Sequence, residues 1–391
     1  MEGQTSDKNI AALEQTSSVP AKYISVSEKL KKFRPEFIRK VKHYPTGIHK
    51  LDQLLGGGLY AGLTFLGATP GTGKSTLILQ IASEIAATGQ PVLFYSLEMS
   101  VEQLEAKILN REIHRKYPDS TTTARGIFTA GEADSPENIK KWEMIEEIKE
   151  DIGDKYWEFY IKEKDQASFS SKDIEKDVGE FIKYKNKLPV VFVDYLQILS
   201  PVDERKTQNE KQKNDENVIV LNDLSNKYNL PIVVISSLNR DSYKSEEKPK
   251  PMGMAAFKET GSIEYTASVI LGMQQRGLQN RGDGQEEMND ESETVKKPKG
   301  LKELELVFLK QRYGDARGVV DLDFYGAKDL FEGTDDPEEE SVEDEDTVSE
   351  ESMDQEEEFD LEQILIAEFK AIKQKSMQKK KRKGAEKYEN A

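Results

Sequence analysis

Cysteine is absent from all 391 residues. The chain therefore has no disulfide, no thiolate zinc site and no cysteine nucleophile, which suits a reducing compartment and predicts a cytoplasmic protein. Histidine is scarce: His43, His49 and His114 are the three present, at spacings that match no metal-binding motif. Long apolar runs are missing. No window approaches the roughly 18 apolar residues of a membrane span, and the polar N-terminus has no apolar signal-peptide core. One stretch lacks basic residues: 332–362 hold 18 acidic side chains and no Lys or Arg. Outside it, 55 acidic residues face 56 basic ones, so the net charge of −17 belongs to that segment. A near-neutral body does not exclude a nucleic-acid partner.

What is present stands out most between Leu63 and Thr76, in the run LTFLGATPGTGKST. An apolar strand enters a Gly-rich turn, and a helix begins on the other side. This is the pattern of a phosphate-binding loop, residues Ala68, Thr69, Pro70, Gly71, Thr72, Gly73, Lys74, Ser75 and Thr76, in which successive backbone N–H groups and the helix N-terminus cradle phosphate oxygens. Lys74 is placed to neutralise the β- and γ-phosphates of a nucleotide such as ATP, and the Ser75 hydroxyl to hold Mg²⁺. Gly71 and Gly73 let the backbone approach closely. The strictest form of the motif has Gly where Ala68 stands.

Apolar runs alternate with amphipathic segments from residue 44 to 330. The alternation predicts strands at 62–67, 91–96, 157–162, 189–194, 231–236, 268–273, 304–310 and 319–324. Helices are expected at 74–87, 101–115, 137–151, 171–185 and 214–228. The fold class is α/β: one domain with a mostly parallel central sheet flanked by helices, because helical crossovers between strands buried on both faces give parallel pairing. Around it, residues 1–24 are expected to be disordered and 25–43 to form a linker or docking helix. Residues 277–300 form a mobile loop, 331–360 an acidic disordered tail, and 361–391 a short helix with a basic end. No internal repeat is evident.

Two strand ends carry carboxylates. The buried run Pro189–Val193 ends in Asp194, at the edge where open α/β sheets bind ligands, and supplies a candidate for the Mg²⁺ shell. The run Val92–Leu97 ends in Glu98, a candidate general base or water-orienting group. The expectation is that this second strand lies beside the first and so brings Glu98 near a γ-phosphate.

The segments FYSLEMS (94–100), VDYLQ (193–197), SSLNR (236–240), KETGSIE (258–264) and KQRYG (310–314) occur in this order after PTGIHKLD (45–52). Together they resemble the RecA-like motor domain of DnaB-type replicative helicases over about residues 44–327. The resemblance implies an ATP-dependent DNA helicase motor that translocates on single-stranded DNA and unwinds duplex during replication. Its cofactors would be ATP and Mg²⁺. It further implies that Glu98 is the catalytic carboxylate and Asp194 the Mg²⁺-shell carboxylate. Lys310 and Arg312 would reach the ATP of a neighbouring subunit, and Lys258, Glu259 and Gly261 would belong to a loop facing DNA. The implied assembly is a homo-oligomeric ring, a hexamer, with a replication loader or primase as candidate partner. The family's N-terminal collar domain has no counterpart in the roughly 40 residues before the matching region. The family also places Gln where Ser237 stands; Asn239 or Arg240 are candidates to replace it. Two rivals remain at this point. One is a RecA/RadA- or KaiC-like DNA-binding or regulatory ATPase that does not unwind; the other is an assembly or loading factor that uses ATP as a switch.

Overall fold

The computed structural model describes residues 25–31 and 42–334, apart from 130–135, 154, 157, 165–166, 206, 239–250, 258–260, 279–299, 313 and 315–317. The expectations for 1–24, for 335–391 and for most of the 277–300 loop lie outside the described residues.

Strands β1 (Gly62–Ala68), β2 (Val92–Ser96), β4 (Val190–Asp194) and β5 (Pro231–Ser237) are buried almost end to end. They carry apolar residues at successive positions, so both faces of the sheet need cover, and helices supply it on each side. On one face Leu66, Phe94, Phe192, Val233 and Ile235 pack against helices α2 (His49–Leu55), α3 (Lys74–Ala87) and α4 (Val101–Lys116). Phe94 and Phe192 stack there at 6.0 Å, as their paired positions in β2 and β4 require. On the other face Phe65, Leu93, Val191, Val193 and Val234 meet α7 (Ser171–Lys185) and α8 (Glu210–Tyr228). A short helix α1 (Val26–Lys31) lies within the expected linker segment and exposes Val26 and Leu30. Among the described residues the remaining α-helices are α5 (Ala124–Phe128), α6 (Pro136–Gly153) and α9 (Gly261–Thr266).

Local chemistry sets the helix ends. Ser100 and Ser170 form capping boxes with Gln103 and Asp173 at the starts of α4 and α7. Asn209 caps α8, which starts four residues earlier than its apolar periodicity predicts. Asn186 and Asn229 close α7 and α8 in the left-handed conformation that Asn tolerates.

The nine-stranded sheet has the order β3-β2-β4-β5-β1-β6-β7-β8-β9, with β3 at Phe159–Glu163, β6 at Val269–Gln275, β7 at Leu301–Gln311, β8 at Val319–Tyr325 and β9 at Leu330–Gly333. The first six positions are parallel, and β6 through β9 pair antiparallel. One expectation is overturned: β2 does not lie beside β1. Strands β4 and β5 occupy the two places between them, because the chain skips outward after β1 and fills those places later. The last strand, β9, runs to Gly333, past the residue 330 expected to end the domain.

Candidate active site

The C-terminal ends of β2, β4, β5 and β1 lie side by side, and the candidate site is built on them. Ser96 pairs with Asp194, and Ala68 with Ser237. The connection leaving β1 passes to one face of the sheet through α3, and that leaving the adjacent β5 passes to the other through the segment around Phe257, which opens the kind of crevice where open α/β sheets take ligands.

Residues 69–73 join β1 to α3. Gly71 and Gly73 adopt left-handed φ values of 78° and 95°. Gly73 is the N-cap of α3 and brings no side-chain cap, so the first-turn N–H groups stay available to an anion. A Cβ on Gly73 would also lie 2.8 Å from Phe324 and 2.9 Å from Phe331. Lys74 is half-buried and folds over the loop, donating to the carbonyls of Ala68 (3.0 Å) and Thr69 (3.2 Å). Burial holds its ammonium below the ordinary lysine range, against the attraction of Asp194 and Glu98. Thr72 Oγ1 donates to Thr69 O. Ala68 and Thr76 are buried, and the Thr76 hydroxyl accepts from Lys107, which is paired in turn with Asp329.

Asp194 is 1% exposed at the end of β4. Burial pushes its carboxyl up to about 6; the Ser75 hydrogen bond and Lys74 oppose the rise and Glu98 adds to it. Its Oδ2 is buried without a hydrogen-bond partner among the described residues. A buried carboxylate oxygen beside a serine hydroxyl, both next to a phosphate cradle, is a donor set that suits a hard, oxygen-seeking cation such as Mg²⁺. Glu98 is exposed, just beyond β2. It acts electrostatically on Lys74, Asp194 and Tyr195, so the four predicted groups Lys74, Ser75, Glu98 and Asp194 share one site despite the unexpected strand order.

Lys310 and Arg312 lie elsewhere. Gln311 pairs with Val269, and Val269 pairs with Thr64, toward the opposite end of β1 from Ala68. Four residues of strand separate those ends, about 13 Å at 3.3 Å per residue. Gln311 donates to Leu54 O and turns away, leaving Lys310 and Arg312 on the other face of β7. They rest on the C-terminal carbonyls of α9: Lys310 on Glu264 (2.5 Å), Arg312 on Tyr265 (3.0 Å) and Thr266 (3.4 Å). Exposed Tyr265 stands beside them. Gly261 opens α9, whose Ser262 is hydrogen bonded to Asp215 of α8. Lys258, Glu259, Asn239 and Arg240 lie outside the described residues.

Four features escaped the sequence. Gln197 donates to Ser236 Oγ and accepts from the Ser237 N–H, each at 3.0 Å, tying the tip of β5 to the segment after β4. Phe257 leans on Gly67 of β1, where a Cβ would lie 2.1 Å from its ring. Gln80 of α3 exchanges two hydrogen bonds with the backbone of Phe331. Lys302 donates to Gly71 O at 2.8 Å. All four join segments tens to hundreds of residues apart, and no local pattern marks them.

The fold and this site define a RecA-like P-loop NTPase domain. A family model described as DnaB-like helicase C terminal domain matches residues 44–333, and the chain belongs to that family. Curated relatives include a replicative DNA helicase DnaB of Geobacillus stearothermophilus, 27% identical over 281 residues covering 72% of this chain and 54% of the relative. A probable replicative DNA helicase of Trieres chinensis is 26% identical over 280 residues, with coverages of 71% and 54%. The chain thus spans about half the length of these relatives. Two solved structures share the fold, each with a TM-score of 0.61. One is described as an ATPase domain (20% identity; 79% of this chain and 98% of that one). The other is a DnaB-like replicative helicase described with its interactions with primase (19% identity; 84% and 71%). Among the described residues no helix is long and apolar enough to cross a membrane.

Proposed function

We propose that this chain is an ATP-hydrolysing motor of the DnaB type, which translocates on single-stranded DNA and unwinds duplex during replication as a ring, a hexamer. One observation carries the reading: the candidate nucleotide groups sit at one end of the sheet while Lys310 and Arg312 sit at the other. A guanidinium there cannot serve its own phosphate loop. It suits the loop of a second copy, so the site is complete only between subunits, and a closed heterologous ring supplies that geometry.

The loop N–H groups and Lys74 bind the triphosphate. Ser75 and Asp194 would hold Mg²⁺, which neutralises charge on the phosphate oxygens. Glu98 orients the water that attacks the γ-phosphorus in line and accepts its proton. Arg312, with Lys310 beside it, stabilises charge developing on the γ-phosphoryl oxygens from the neighbouring subunit. An arginine supplied in this way is worth about 10³–10⁵ in rate. Lys258 and the backbone at Gly261 would contact DNA phosphates without sequence preference, so binding should weaken with salt. A loader or a primase is the proposed replication partner; the likeness to the helicase described with its primase interactions supports this.

The test is steady-state ATP hydrolysis with and without single-stranded DNA, with Glu98→Gln as the blank. Strong stimulation by DNA, lost in the variant, is expected. Hydrolysis indifferent to DNA would move the assignment to a regulatory ATPase. That second reading has one observation in its favour: Ser237, whose N–H is already taken by Gln197, has no long side chain to sense a γ-phosphate. Strand displacement on a forked duplex separates the two.

A further inference from the structure

We propose that Lys302 is a positioning residue for the phosphate loop: its ammonium holds the Gly71 carbonyl outward so that the Thr72 N–H faces the nucleotide. The proposal rests on the nucleotide-binding reading of residues 68–76.

Gly71 is weakly restrained by its surroundings. It has φ of 78°, is exposed, and a Cβ there would meet nothing within 4 Å. The peptide joining Gly71 to Thr72 therefore turns on a glycine with no packing to restrain it. A planar trans peptide points its carbonyl and its N–H in opposite directions. In one orientation the Thr72 N–H enters the cradle. In the flipped orientation a carbonyl oxygen does, and its partial negative charge repels phosphate. The Lys302 hydrogen bond to Gly71 O, at 2.8 Å, selects the first.

Lys302 is itself held. It opposes Phe324 across the β7–β8 pairing, and its Nζ lies 5.8 Å from that ring's centroid. Phe324 stacks on Phe331 at 4.2 Å with an interplanar angle of 11°, and both rings bear on Gly73. The antiparallel extension thus grips the loop at two points, a carbonyl at Gly71 and an aromatic floor under Gly73. Lys302 touches no reacting atom in this arrangement; it acts through the loop backbone.

The experiment measures the affinity of a fluorescent ADP for the full chain in Mg²⁺ buffer, with KM and kcat for ATP alongside. Lys302→Met should weaken ADP binding and raise KM by about tenfold, the equivalent of about 1.4 kcal/mol, while kcat at saturation stays within about twofold. Lys302→Arg keeps a donor and should bind within about threefold of the parent. The nucleotide-free unfolding midpoint should not move, because Lys302 is exposed. ADP binding unchanged in Lys302→Met would overturn the proposal. So would a lower unfolding midpoint with equal weakening in Lys302→Arg, which would make the lysine a folding residue. Lys74→Ala serves as the reference. If it loses ADP and Lys302→Met does not, this proposal alone fails; if neither loses ADP, the nucleotide-binding reading fails with it.

Discussion

Asp194 meets two opposed demands. The sheet encloses it to 1% exposure, yet its proposed work needs the ionised form. Burial raises its pKa from 3.8 to about 6, so the buried form prefers to keep its proton. Below 3.8 the group is protonated whether the chain is folded or not. As pH rises through about 6 the folded chain must ionise a buried acid, and the stability held by the protonated form is fully lost above that point. Two pKa units correspond to about 3 kcal/mol. Asp194→Asn should therefore raise the unfolding midpoint of the nucleotide-free protein at about pH 8, with the gain vanishing near pH 4. The same variant should abolish hydrolysis, because an amide cannot replace the carboxylate in the proposed Mg²⁺ shell. A denaturant titration at the two pH values checks the first point; a lower midpoint under the alkaline condition would contradict it. The carboxylate itself was legible, because a buried strand ending in Asp after a phosphate loop is a local pattern. Its environment was not, because it depends on Ser75 and Glu98 arriving from other elements.

At the scale of elements, β1 couples the phosphate loop to the segment around Phe257. Gly67 lies one residue before Ala68, and Phe257, which fills the space a Cβ would need, lies one residue before Lys258. Gly67→Ala should cost about 1–3 kcal/mol as an overpacked site and displace Phe257. If the 258–261 segment contacts DNA, stimulation of hydrolysis by single-stranded DNA should drop more than basal hydrolysis does; equal losses would show that Phe257 only packs. On the far side of the loop, β9 completes the fold. Phe331 lies on the α3 face of the core and its backbone is bonded to Gln80. Phe331→Ala should destabilise the domain by about 3–5 kcal/mol, read by chemical unfolding, and loosen the aromatic floor under Gly73. The eight longer strands and five longer helices were legible from apolar periodicity and from caps such as Ser100 and Ser170. The four-residue β9 was not, since its run is too short to show a period and its pairing with β8 comes from a tight turn. The strand order was misjudged for a related reason. Periodicity reports which segments are strands, whereas order is decided by which crossover fills which gap.

At the scale of the whole molecule, the sheet separates two proposed functions in space. β7 makes this concrete: Lys302, near its start, touches the chain's own phosphate loop, and Lys310, near its end, lies at the opposite end of the strands with Arg312. On the proposed reading, a subunit would position its own phosphate loop through the first lysine and reach another subunit's nucleotide through the second pair. The motif order pointed to these residues, and the sheet register sets the two groups at opposite ends of the strands, too far apart to meet at one point. Arg312→Ala should therefore bind nucleotide normally and yet lose hydrolysis by about 10³-fold or more. The decisive measurement is hydrolysis by a mixture of Arg312→Ala and Glu98→Gln chains assembled together. Each variant alone should be inactive. In the mixture some interfaces join an intact Glu98 site to an intact Arg312 from its neighbour, so activity should return. Full activity in Arg312→Ala alone, or no recovery in mixed assemblies, would contradict a motor whose sites are completed between subunits.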